Sequence, residues 1–131
     1  MKTIITALLI APLLVFSQIE EQSIVSLKSY TYEWNSTDSS MMKIDSHQLI
    51  TMLNLTKSYY TYFNNETSML KISWSYHSNN ENGDPVYYDH FGSKIIFNKQ
   101  MNEIFLYQDY DKELYTYKYV VVFSELNKLK Q

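Results

Sequence analysis

Leu70-Lys71-Ile72-Ser73-Trp74-Ser75-Tyr76 alternates, residue by residue, between apolar and polar side chains. A period of two sends Leu70, Ile72, Trp74 and Tyr76 to one side of an extended chain and Lys71, Ser73 and Ser75 to the other. The stretch predicts a strand with one buried and one wet face. The rest of the chain follows the same logic. Tyr115, Tyr117, Tyr119, Val121 and Phe123 share one face of a last strand, with Thr116, Lys118, Val120 and Val122 on the other. The second half of that strand is apolar on both sides, so both its faces are expected to be covered.

Between these two segments, Ser78 to Asp84 is a polar turn cluster, and Pro85 opens a strand at a position that tolerates a missing N–H. Val86 to Asp89, Lys94 to Asn98 and Glu103 to Tyr110 read as short strands, with Phe91-Gly92-Ser93, Lys99 to Asn102 and Asp111-Lys112-Glu113 as turns. Upstream, Ile24 to Trp34 is a strand with Tyr30, Tyr32 and Trp34 on one face. Val25 and Leu27 fall on the opposite phase, which predicts a bulge near Ser29. Asn35 to Ser39 is a turn. Ser40 to Ile44 and Gln48 to Leu55 read as a hairpin around Asp45-Ser46-His47, followed by Tyr59 to Phe63. A helix over 46–54 is the rival there, because Asp45 and Gln48 resemble a capping box and Leu49, Met52 and Leu53 have helical spacing. The polar segment after Ser124 reads as a frayed tail.

Thirteen Tyr, two Trp and six Phe favour strands, and two Gly with two Pro leave little else to punctuate them. Eight or so short strands joined by short turns must pair antiparallel. The expected fold is therefore all-β: an antiparallel meander of about eight strands forming a small barrel or strongly curled sheet, with a two-sheet β-sandwich as the alternative. Such an up-and-down barrel resembles the lipocalins and related calycins in architecture alone. Their early Gly-x-Trp signature is absent, Trp34 being preceded by Tyr32-Glu33, so the resemblance implies no ligand and no site residue.

The first residues bear on location. Lys2 precedes an apolar run from Ile4 to Phe16 that ends at Ser17, with Val15 and Ser17 at the −3 and −1 positions of a cleavage site. This is the pattern of a signal peptide cut before Gln18. The run is shorter than a spanning helix and is followed by Glu20 and Glu21. Residues 1–17 are thus expected to be a cleaved leader, and 18–131 one small β domain, exported to a periplasmic, cell-surface or secreted location. No integral membrane segment is expected once the leader is removed.

Composition limits function. The net charge of −3 argues against nucleic acid as a partner. Cysteine is absent, so no disulfide or thiol chemistry is available, and burial alone must hold the domain. All eleven basic residues are Lys, which removes bidentate Arg recognition of carboxylate or phosphate. No nucleophile elbow, zincin, P-loop or Rossmann glycine pattern occurs. Asp45-x-His47 and the group Asp84, Asp89 and His90 are the only metal-ligand arrangements to consider, and solvated turn residues account for both. Asp109, Asp111 and Glu113 lack the glycine and spacing of a calcium loop. Neither a metal nor another cofactor is expected. Three sequons, at Asn35, Asn54 and Asn65, are no more than this composition produces.

The tyrosines remain. They exceed what a small core can bury with every hydroxyl satisfied, so some must line a surface or cavity. The expected function is a non-catalytic binding or interaction module using an aromatic surface or a barrel mouth, with Trp34, Trp74 and Tyr88 as candidate ligand-binding residues. A small ligand, a glycan or a protein is the expected partner. The alternatives are a small exported hydrolase or metal-dependent enzyme, which needs His47, His77 or His90 to meet carboxylates in a cleft, and a structural protein pairing through a sheet edge.

Overall fold

In the computed structural model, residues 19–48, 50–66, 68–100 and 102–129 are described, with backbone alone at His47. The leader expected at 1–17 lies outside the described residues. Nine strands and no helix make up the described chain: β1 (Gln22–Asn35), β2 (Ser40–His47), β3 (Thr51–Leu55), β4 (Tyr59–Phe63), β5 (Leu70–Asn79), β6 (Pro85–Asp89), β7 (Lys94–Asn98), β8 (Glu103–Asp111) and β9 (Thr116–Lys128). Strands β3 to β9 pair antiparallel in chain order, and β1 pairs with both β3 and β9, which closes an eight-stranded barrel. β2 is a ninth strand outside the closed ring, hydrogen-bonded to β1. The meander expected from the turns is therefore a barrel rather than a sandwich.

The length of β1 explains the extra strand. Its first residues, Gln22 to Ser26, pair with β3, and its later residues, Ser29 to Asn35, pair with β2 on the same edge. β2 and β3 thus run in one direction as successive halves of an interrupted strand. The hairpin expected around Asp45-Ser46-His47 does not exist: Asp45 and Ser46 continue β2, opposite Thr31 and Tyr30. A polar tripeptide looks like a turn, but here its polarity is that of an exposed edge. The helix considered for 46–54 is also absent, since Thr51–Leu55 is strand with Thr51, Leu53 and Leu55 buried. The tail is likewise strand as far as Lys128, which pairs with Ile24, and Leu129 N–H donates to the Ser23 carbonyl at 2.9 Å.

The phase change expected near Ser29 is present at the β1–β9 seam. Buried positions in β1 run Ile24, Ser26, Ser29, so the inward phase switches between the last two. β9 switches opposite, where Glu125 adopts φ +51°. The gap is filled by two buried serines. The Ser26 hydroxyl lies 2.9 Å from the Ser124 carbonyl, and both Ser26 and Ser124 hydroxyls reach the Lys28 carbonyl. Both glycines, Gly83 and Gly92, take φ +81° in the turns flanking β6, where a side chain would be strained.

Aromatic rings fill the barrel. Trp74 packs 4.3 Å from Tyr87 and 4.9 Å from Tyr60 (ring centroids), and Phe97 lies edge-on to both Trp74 and Tyr87. Their polar atoms are satisfied inside. Trp74 Nε1–H donates to the Thr56 carbonyl, Tyr60 donates to Asp89 Oδ2, and the Tyr87 hydroxyl accepts from Ile19 N–H. The void among Leu53, Trp74, Ile104 and Phe123 is about 20 Å³, room for one water at most.

Candidate functional site

A cleft of about 820 Å³ opens on the outside of the barrel between the β6–β7 turn and the β8–β9 hairpin. Its wall is aromatic: Tyr88, Phe91, Tyr107, Tyr110, Tyr115 and Tyr117 line it, with Lys94, Lys112, Asp109 and Met41 between them.

Strand register places these rings. Alternation along β6 sends Tyr87 into the core and Tyr88 outward. Lys94 stands directly across from Tyr88 on one side and from Tyr107 on the other. Its ammonium sits over both the Tyr107 and Tyr117 rings, 4.9 and 5.4 Å from their centroids, and so bridges two strands by cation–π contact. Tyr117 in turn packs on Tyr107 and, edge-on, on Tyr110. Burial pushes the phenol pKa of Tyr107 up. It does the same for Tyr117, helped by neighbouring Tyr88, Tyr110 and Asp89. Both hydroxyls therefore stay protonated as donors well above neutral pH.

The rim is held differently. Asp89 is buried and organises the β6–β7 turn: its Oδ1 accepts from Phe91 and Ser93 N–H at 3.0 Å each, while Oδ2 accepts from Tyr60. Phe91 is thereby held out in solvent, 71% exposed. On the facing hairpin, Asp111 Oδ1 accepts from Glu113 and Leu114 N–H. The chain then enters Tyr115 at φ +53°, a left-handed conformation that is rare for a bulky side chain. Tyr115 is 83% exposed. Asp109, at φ +56°, is a second non-glycine residue in that region. Aspartate tolerates that region, so the unfavourable backbone conformation in the cleft is that of Tyr115.

A second, shallower groove of about 360 Å³ adjoins the cleft along the outer face of β2, β1, β9 and β8. Val120 and Val122 form its floor and are buried there, shielded by Tyr30, Tyr32, Phe105 and Tyr107. This is how the strand that is apolar on both faces is covered on both.

The three candidate residues are not brought together. Tyr88 lines the cleft. Trp74 is core, 6% exposed and hydrogen-bonded inside. Trp34 lines a separate depression with Met42 and Ile44 near the β1–β2 turn. Periodicity had put Trp74 on the inward face; a hollow interior was needed to make it a ligand contact. The cleft residues not named as ligand candidates are Phe91, Tyr107, Tyr110, Tyr115 and Tyr117; Phe91 sits in a turn, where no period assigns a face, and Tyr115, placed by alternation on the face of Val121 and Phe123, lies instead in the left-handed turn position before β9.

Among the described residues, no group of three or more His, Asp or Glu side chains converges as a metal site. His77 bonds Ser78 and packs on Tyr88, and His90 lies against Phe91. Asp84 is buried at the opposite end of β6 from Asp89 and accepts from Lys99 N–H. The Asn54 carboxamide is used within the sheet, accepting from Ser23 and donating to Thr61. No helix among the described residues is long and apolar enough to cross a membrane. No protein-family model matches the chain, and neither a curated protein nor a solved structure matches it, so the reading of its function rests on the cleft itself.

Proposed function

We propose that the protein is a non-catalytic binding module whose working surface is the external tyrosine cleft. One observation carries this reading: two turns hold Phe91 and Tyr115 out in solvent on either side of a cleft already floored by tyrosines, and the backbone at Tyr115 is strained to do so. Exposed aromatic rings give large contact area at low entropic cost, and the cleft's volume lies in the range of ligand sites. The signal-like segment at 1–17 assigns this work to an exported compartment. A sample recovered from the exported fraction should begin at Gln18 by mass spectrometry; one beginning at Met1 would remove the compartment from the proposal. For the cleft, glycan, peptide and small-molecule libraries are screened by amide chemical-shift mapping. Hits should cluster at the β6–β7 turn and the β8–β9 hairpin and be lost in Phe91→Ser with Tyr115→Asn. Hits that map elsewhere would refute the site.

A second reading concerns β2. Its far edge has no strand partner among the described residues, and Met42 and Ile44 are exposed. Pairing with another chain along this edge would make the protein a structural module, against the opposition of the irregular register at Ile44 and of Lys43 on the same strand. Light scattering over a concentration series checks it, and a strict monomer throughout would refute it.

A further inference from the structure

The β6–β7 turn carries Phe91 on the rim of the cleft, and it is held from behind. Asp89 Oδ1 takes the amides of Phe91 and Ser93 at 3.0 Å each. The backbone adds Gly92 N–H to the Asp89 carbonyl and Asp89 N–H to the Ser93 carbonyl, and His90 N–H reaches the Ser73 carbonyl on β5. From the cleft side, the Tyr117 hydroxyl meets the Gly92 carbonyl at 3.4 Å, which is long for an O–H donor. Asp89 is therefore the hub of the turn. Whatever orients its carboxylate orients the rim.

That orientation comes from inside the barrel. Asp89 is buried, opposite Trp74 in the β5–β6 ladder. Its Oδ2 accepts from the hydroxyl of Tyr60, a core residue, at 3.0 Å. Tyr60 is fixed in its turn: its ring packs 4.9 Å from Trp74, and the Trp74 indole N–H is tied to the Thr56 carbonyl at 2.8 Å. A chain of contacts thus runs from Thr56 through Trp74, Tyr60 and Asp89 to Phe91 and Ser93. The donor on Oδ2 fixes the carboxylate plane that two amides on Oδ1 alone leave freer to turn.

Resting on the cleft as the binding surface, we infer that Tyr60 is a positioning residue for it. From the barrel interior, and through Asp89, it sets where Phe91 stands on the rim. Trp74 serves the site in the same indirect way, touching Tyr60 and not the cleft. The facing hairpin supplies a contrast. Asp111 makes the same two amide bonds, to Glu113 and Leu114, but on a tip that is exposed from Lys112 to Tyr115.

The test compares Tyr60→Phe with Tyr62→Phe by residue-resolved amide hydrogen exchange, near-UV circular dichroism confirming that both fold. Tyr62 lies two residues along β4, packs against the same core and stacks on Tyr60, so its variant loses a hydroxyl that Asp89 does not use. Tyr60→Phe should speed exchange at the Phe91 and Ser93 amides about tenfold, as expected for losing one hydrogen bond to a charged group, while Glu113 and Leu114 exchange as before. Tyr62→Phe should leave all four amides unchanged. A rim that keeps its protection in Tyr60→Phe would overturn the inference. So would equal acceleration at both turns, or an equal effect of Tyr62→Phe, since either is a general loosening of the core. Exchange is read without ligand, so failure here leaves the library screen to judge the cleft, and failure there leaves the coupling of Tyr60 to the rim standing.

Discussion

Individual side chains decide where this protein is firm and where it is under strain. Asp89 is a buried carboxylate whose three hydrogen bonds come from Phe91, Ser93 and Tyr60. Tyr60→Phe keeps the ring stacked on Trp74 but withdraws one donor from that carboxylate. It should cost about 1–3 kcal/mol in urea unfolding, because a buried acceptor is left short. Tyr115 behaves oppositely. Its left-handed backbone is better suited to asparagine, so Tyr115→Asn should leave stability unchanged or raise it by up to about 1 kcal/mol, read from the same titration, while ligand binding falls. A residue that costs stability and contributes to binding is expected at a working surface. At this scale the sequence was a partial guide. Alternation around Trp74 told which way the side chain points. It could not tell that Tyr60, Tyr87 and Phe97 would meet it and leave no room, since that depends on the summed volumes of residues from four strands.

Among the strands, β2 is the informative one. Opposite Thr31 and Tyr32 it presents Asp45 and Lys43, so Ile44 is an extra residue and makes a bulge. A bulge and a lysine on an edge strand both oppose sheet-to-sheet association. Deleting Ile44 would restore a regular edge and is expected to promote concentration-dependent association, seen by light scattering; a deletion variant that stays monomeric would show that the bulge is not what guards the edge. Tyr59–Phe63 and Lys94–Asn98 were legible with their ends, whereas the strand with the cleanest alternation runs past Tyr76 to Asn79, into the polar cluster read as a turn. Two further segments were not legible. Asp45-Ser46-His47 has the composition of a turn, and the segment after Ser124 has that of a free tail. Both are paired along one side of the sheet or the other, where polar side chains cost nothing. Only knowledge of β1's length, which lets it pair twice on one edge, would have separated a turn from an edge there.

For the whole molecule, the tyrosines that shape the site also tie stability to pH. Burial pushes the phenol pKa of Tyr60, Tyr62, Tyr87, Tyr107 and Tyr117 above the ordinary value of 10, with Asp89 adding to the effect at Tyr60. In the unfolded chain these groups release their protons near pH 10; in the fold they hold them. The folded state therefore binds more protons above that pH, and stability falls as pH rises. Below it, these tyrosines add no pH dependence. An alkaline titration should show exposed tyrosines ionising first, and the buried class ionising only together with loss of the near-UV dichroism. Smooth ionisation of every tyrosine at one pKa, with the fold intact, would contradict the burial described for the core.

The seam between β1 and β9 has a consequence in time. Ile24 is hydrogen-bonded into the ladder opposite Lys128, so the first strand of the ring waits for the last. Until β9 has been synthesised, β1 and β8 each keep a naked flank and the aromatic interior has no final wall. Closure of the ring must then wait for β9, through contacts that join Ile24 to Lys128, a topology that folds slowly. A nascent chain of this kind stays open along that flank until β9 emerges.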